Sequence, residues 1–119
     1  MKSSTWKSRI IASTRAVGTY KDAFLPAINA LADILERRDE AYKEFIESGG
    51  ETVVEKSSDR GAVNMGMNPR LRVWMDLSAQ ALNYWRDLGL TPSGLKKIDE
   101  QMMKPKKVSA LAEALKDLA

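Results

Sequence analysis

Tyr20, Phe24, Ile28, Leu31, Leu35, Tyr42 and Phe45 recur at steps of three, four or seven residues. That is the period of an α-helix, so their side chains share one face. A helix with so long an apolar stripe has to be covered by something, and this governs what the chain can fold into. Thr19, followed three residues on by Asp22, reads as a variant capping box at its start. Pro26 removes a backbone donor and crowds the preceding turn, which predicts a bend in the first turns. The pattern stops at Gly49-Gly50, a natural helix end. From Tyr20 to Ser48 the predicted helix has 29 residues, about 43 Å at the usual rise.

A second helix is written just as plainly. Asn68-Pro69 opens it, with the Asn68 side chain as cap and Pro69 at the first helical position. Leu71, Trp74, Leu77, Ala81, Trp85 and Leu88 form its stripe, and Gly89 ends it. Between the two helices, Thr52-Val53-Val54 and Ala62-Val63 flank the turn-forming Ser58-Asp59-Arg60-Gly61, which predicts a short β-hairpin. Thr91-Pro92 caps a short helix reaching about Glu100. After a linker at Lys104-Pro105-Lys106-Lys107, residues 108–118 place Val108, Leu111, Leu115 and Leu118 on one side of a last small helix. The fold expected is mainly α: a long antiparallel helical hairpin with a short β-hairpin between the helices, plus short C-terminal helices. It divides into a basic segment 1–18, a core 19–100, and a linker with an amphipathic helix, 101–119.

Two helices and a hairpin leave apolar surface over. Trp74, Tyr84, Trp85, Met65 and Met67 exceed what one helix–helix seam hides, because a single Trp can bury ~150–250 Å². Residues 20–98 alone approach the size at which one core is marginal. Self-association covers the surplus, with Tyr20, Phe24, Ile28, Leu31, Trp74 and Trp85 as the expected oligomer interface. Alternatively, the short third helix and the β-hairpin cover it within one chain.

Charge is segregated along the chain. The net +3 divides into +5 over residues 1–21, which hold no acid, −6 over residues 22–59 and +4 over residues 60–119. Such a pattern fits an acidic partner at the two ends and a solvated or subunit-facing middle. Lys2, Lys7, Arg9 and Arg15 are the expected main phosphate contacts, with Lys96 and Lys97 second. No element has the side-chain pattern of a base reader, so backbone contacts or DNA shape would do the positioning. The Ser- and Arg-bearing start also has the composition of an organelle transit peptide, although nothing after it reads as organellar.

The chain has no cysteine and no histidine. That removes disulfides, Cys/His zinc sites, thiol catalysis and every imidazole base. Gly61 and Gly66 have the spacing of a phosphate loop, but Met67-Asn68 stand where Lys and Ser/Thr belong. Asp33, Glu36, Glu40, Glu44 and Glu47 form a row that could hold magnesium, but Arg37 and Lys43 interrupt it and a solvated helix face explains it better. The serines have no base partner. No catalytic residue, metal site, cofactor or small-molecule substrate is expected. No apolar run approaches the ~18 residues of a spanning helix, so no membrane is expected as a partner.

G-T-Y-K at 18–21, the acidic helix through L-E-R-R-D-E-A-Y-K-E-F-I-E-S-G-G, N-P at 68–69 and Y-W-R-D-L-G-L-T-P at 84–92 together resemble one family, the small subunit of phage terminase. The resemblance spans roughly residues 15–100. Many members carry Ser-Arg after the Thr-Pro, where this sequence departs with Gly94-Leu95. The resemblance implies a non-catalytic, ring-shaped homo-oligomer that binds double-stranded viral DNA in the cytoplasm of a bacterial host. It also implies a role in recruiting and regulating the large subunit, which holds the ATPase and nuclease. A helical protein–protein adaptor or head-assembly factor without DNA binding is the alternative.

Overall fold

The computed structural model describes residues 1–57, 63–101 and 115. The elements run α1 (Ser3–Val17), a 3₁₀ turn (Asp22–Phe24), α2 (Leu25–Glu47), β1 (Val53–Ser57), β2 (Val63–Met67) and α3 (Pro69–Asp87). A helix over 92–101, α4, follows. The architecture is mainly α, with the β-hairpin between α2 and α3 as the sequence predicts.

The first difference from expectation is at the N-terminus. Residues 1–18 contain a helix, α1, and it packs along α2. Its buried side is Trp6, Ile10 and Thr14, spaced by four, with Ile10 and Thr14 at 0% exposure. The Thr14 hydroxyl lies within donating reach of the Ile10 and Ile11 carbonyls, both at 3.0 Å, so a polar residue sits in the core with its hydrogen bond made. The Gly18 backbone at φ 80° lets the Thr19 N–H reach back to the Thr14 carbonyl and end the helix.

The second difference is the start of α2. It begins at Leu25, not Tyr20, and Pro26 lies in its first turn. A proline there gives up an N–H that has no intrahelical partner anyway, so it starts the helix and does not bend it. Thr19 does not cap this helix either. Its hydroxyl donates to the Leu88 carbonyl at 2.7 Å, and the Asp22 carboxylate accepts from the Tyr20 hydroxyl at 2.9 Å.

The core is the meeting of three helices. Ile28, Leu31, Ala32 and Leu35 of α2 pack with Ile10 of α1 and with Ala81 of α3 and Leu88 just beyond it; Trp6, Tyr20, Tyr84, Trp85 and Leu90 close its margins. Ile28 and Leu31 are at 0% exposure within a single chain. Both lie in the core that α1 and α3 complete on α2, so they are not carried forward as interface residues. Tyr20, Trp74 and Trp85 are partly covered and Phe24 stays exposed.

The β-hairpin pairs Val53 with Met67 through to Ser57 with Val63. The predicted turn at Ser58–Gly61 and the predicted helix at 108–118 lie outside the described residues, apart from Leu115, as does the linker before that helix. One side chain joins hairpin to helix. Asn68 is 3% exposed; its Oδ1 accepts from the Arg70 N–H at 3.0 Å, and its Nδ2 donates to the Glu51 carbonyl at 2.9 Å. Its own N–H donates to the Thr52 carbonyl at 2.9 Å. The cap of α3 is thus also the clasp at the hairpin base.

α3 ends with paired bonds from Gly89 N–H to the Arg86 carbonyl and from Leu90 N–H to the Trp85 carbonyl. Gly89 adopts φ 73°, where any side chain would also press on Ile98 and Thr19. Thr91 then caps α4 by accepting from the Gly94 N–H at 3.1 Å. At Gly94 a Cβ would run into the Arg86 backbone, with its Cα 2.9 Å away, so α4 sits directly on the last turn of α3.

Asn68→Ala should destabilise the protein by about 2 kcal/mol, the sum of a lost cap and a lost buried hydrogen bond. Asn68→Asp, which keeps the cap acceptor but turns a carboxylate oxygen toward the Glu51 carbonyl, should also destabilise it. Denaturant unfolding of the three proteins measures both; equal midpoints throughout would show that this clasp is not formed.

Candidate nucleic-acid interface

The bases assigned from the sequence do not form one surface. Lys7, Arg9 and Arg15 leave α1 in directions between about 80° and about 160° apart at 100° per residue. The thirteen steps from Lys2 to Arg15 span about 20 Å. Lys7 borders a hollow of about 330 Å³ with Asn29 and Asp33 of the acidic α2. Arg9 lies over the Trp6 ring, 5.9 Å from its centre, and Arg38 of α2 lies over the same ring at 5.5 Å. Arg15, at the other end of α1, lies over Tyr20 at 4.7 Å.

Lys2, Arg9, Arg15, Lys96 and Lys97 are exposed and Lys7 is half-buried. The α3–α4 corner packs against the connection between α1 and α2, with Leu95 and Ile98 lining a hollow of about 440 Å³ beside Val17, Gly18, Thr19 and Lys21. Arg86 and Lys97 border another, of about 650 Å³. Lys21, Arg86 and Lys97 therefore meet at one end of the molecule, and Arg15 and Lys96 adjoin the lining residues Ala16 and Lys97 in the chain. The acids there are Asp22, Asp87, Asp99 and Glu100. Lys21 and Arg86 are not among the bases expected from the sequence, and only the tertiary fold brings them to Lys96 and Lys97. An open apolar groove of about 870 Å³ runs beside them, walled by Ala16, Val17, Trp85, Leu90, Pro92 and Leu95.

The N-terminal half of α1 is clasped to α2, where Arg9 and Arg38 lie over the same Trp6 ring. Trp6 Nε1 donates to Asp39 Oδ2 at 2.8 Å, and Arg38 donates to Asp39 Oδ1 at 3.2 Å. The Met1 ammonium stands 3.4 Å from Oδ2. Burial pushes the Asp39 carboxyl up, but the Trp6 and Arg38 hydrogen bonds, the Arg38 charge and the Met1 ammonium outweigh it, so its pKa is held below the ordinary carboxylate value. Asp33, Glu40, Glu44 and Glu47 face solvent, and Glu47 pairs at 3.9 Å with Lys43 one turn earlier. Exposed pairs of this kind contribute little to stability.

A family model described as phage terminase, small subunit, matches residues 3–116. The chain belongs to the phage terminase small-subunit family. No curated protein and no solved structure matches the chain significantly. The family places it in phage DNA packaging, and its match takes in α1, the acidic α2, the hairpin and the corner alike. Among the described residues no helix is long and apolar enough to cross a membrane.

Because folding favours the Asp39 carboxylate, its contribution to stability is complete above the ordinary carboxylate range and is lost as pH falls through the lowered value. Asp39→Asn should cost about 1–2 kcal/mol at pH 7, the worth of charge-assisted hydrogen bonds at a part-exposed site. The gap between the two proteins should close below about pH 4. Unfolding followed by tryptophan fluorescence across pH 3–7 checks this; a gap that does not change with pH would rule out the carboxylate clasp.

Proposed function

We propose that this chain is the non-catalytic, DNA-binding component of a phage packaging motor. It acts in the host cytoplasm as a homo-oligomeric ring that holds double-stranded viral DNA and recruits and regulates the large ATPase–nuclease subunit. The observation that carries the reading is the meeting of Lys21, Arg86 and Lys97, with Arg15 and Lys96 next to that group in the chain, at one end of a protein in this family. These bases form the principal phosphate-binding surface, and Lys2, Lys7 and Arg9 take the second place. Lys2, Lys7 and Arg9 lie toward the other end of α1, where Lys7 shares a hollow with Asp33 of the acidic α2.

Assembly draws on apolar surface that the single chain leaves open. Tyr42, Ile46, Met75 and Leu82 are each at least 40% exposed. Tyr42 lies against Trp74, with ring centres 6.0 Å apart, so these side chains extend the aromatic surface of α2 and α3. Phe24, Trp74 and Trp85 remain in the proposed interface, and Tyr20 lies at its edge.

Deleting residues 1–15 would remove Ile10 from the core and confound binding with folding, so charge substitutions are the cleaner test. Lys96→Ala with Lys97→Ala should flatten the logarithmic salt dependence of duplex DNA binding by about 0.9 for each phosphate no longer neutralised. Lys2→Ala with Lys7→Ala should change it less. A slope altered only by the N-terminal pair would move the interface to α1. No shift of duplex DNA even at low salt would leave a protein–protein adaptor as the function.

A further inference from the structure

We propose that the β-hairpin is an assembly strap: the outer edge of β2 in one copy pairs with the outer edge of β1 in the next. The proposal rests on the homo-oligomer reading and names where that oligomer is stitched.

The hydrogen-bond phase of the hairpin follows from one contact. Asn68 N–H donates to the Thr52 carbonyl, and these residues are opposite each other in the register that pairs Val53 with Met67. In an antiparallel ladder bonded and non-bonded pairs alternate. Val54 with Gly66 and Lys56 with Asn64 therefore bond inward. The N–H and C=O groups of Val53 and Glu55 on one strand, and of Met65 and Met67 on the other, point outward. The sheet has only these two strands among the described residues, so both its edges are unpaired.

Outward backbone groups in such a row are a template for another strand. Of the usual protections β1 carries the charges of Glu55 and Lys56, while β2 has none. β2 carries no charge and no proline. The face shared by Val53, Glu55, Met65 and Met67 is exposed, its apolar members Val53, Met65 and Met67 to 48%, 64% and 40%. An isolated two-stranded hairpin is marginal in water, and this one is held to the helices chiefly at its Asn68 base.

The occupant is a second copy because the two edges complement each other. β1 and β2 run in opposite directions, so β1 of one copy set beside β2 of the next continues the antiparallel alternation. Each hairpin then uses both edges, one toward each neighbour, as a heterologous cyclic contact requires. A strand from any other protein would satisfy one edge and leave the sheet open.

Hydrogen–deuterium exchange on the purified protein, at a concentration where light scattering fixes its mass, tests this. With no other protein present, protection of the outward amides comes only from another copy. An oligomer in which the Val53, Glu55, Met65 and Met67 amides exchange at least about tenfold slower than in the dissociated chain supports the strap. Met65→Pro, which removes an outward donor and no inward one, should abolish that protection and leave the Val54 and Gly66 amides protected. An oligomer whose outward amides exchange as freely as those of the single chain overturns the strap while leaving the oligomer reading intact. A protein that stays monomeric overturns both.

Discussion

α2 carries more apolar surface than one partner helix can hide, and the rest of the fold answers that excess. Ile28, Leu31 and Leu35 are wholly buried only because α1 and α3 both pack on α2 and the core draws from all three. Fully burying a side chain of this size is worth about 1.5–3 kcal/mol, so leaving one flank open would forfeit a large share of a small domain's stability. α1 supplies that cover with few apolar residues, using Ile10 as the plug and Thr14 as a residue whose hydroxyl is turned back onto its own helix. Beyond the start of α1 the cover runs out, and there Tyr42 and Ile46 stand exposed.

The same packing fixes where the positive charge goes. The chain leaves α1 at Gly18, and Thr19 fastens that exit to the Leu88 carbonyl at the end of α3. Gly89 turns the chain, Thr91 caps α4, and Gly94 lets α4 settle on the Arg86 backbone. Residues far apart in sequence thereby meet at one end, including Lys21 after α1, Arg86 on α3 and Lys97 on α4. The other end of α1 lies against the acidic α2, where Asp39 holds Trp6 and Lys7 borders Asp33. A basic–acidic–basic sequence thus brings bases from three segments together at one end, interspersed with Asp22, Asp87, Asp99 and Glu100, while the other end of α1 runs along the acidic α2.

Local chemistry is legible in the sequence, and long-range chemistry is not. The Asn68 cap, the Pro69 start, the Gly89 stop and the Thr91 cap each depend on neighbours within a few residues, and each stands where the sequence places it; the hairpin lies between the helices as read, but its strands run on to Ser57 and Met67. Pro26 reads as a bend because a proline in a first turn and one in an interior look alike until the helix start is known. Thr19 reads as a cap because its true partner, Leu88, lies on the far side of the hairpin. α1 is hidden in the sequence because its buried stripe includes a threonine, which a hydrophobic pattern counts as polar. The grouping of the bases depends on the corner, which no spacing along the chain encodes.

The central claim is that α1 is a wall of the core and not an arm attached to it. Denaturant unfolding of Ile10→Ala beside the unaltered protein measures this most directly. If α1 completes the core, the substitution lowers the unfolding free energy by about 2–5 kcal/mol, the cost of truncating a buried isoleucine. A change within about 0.5 kcal/mol, as expected of a surface position, would contradict it.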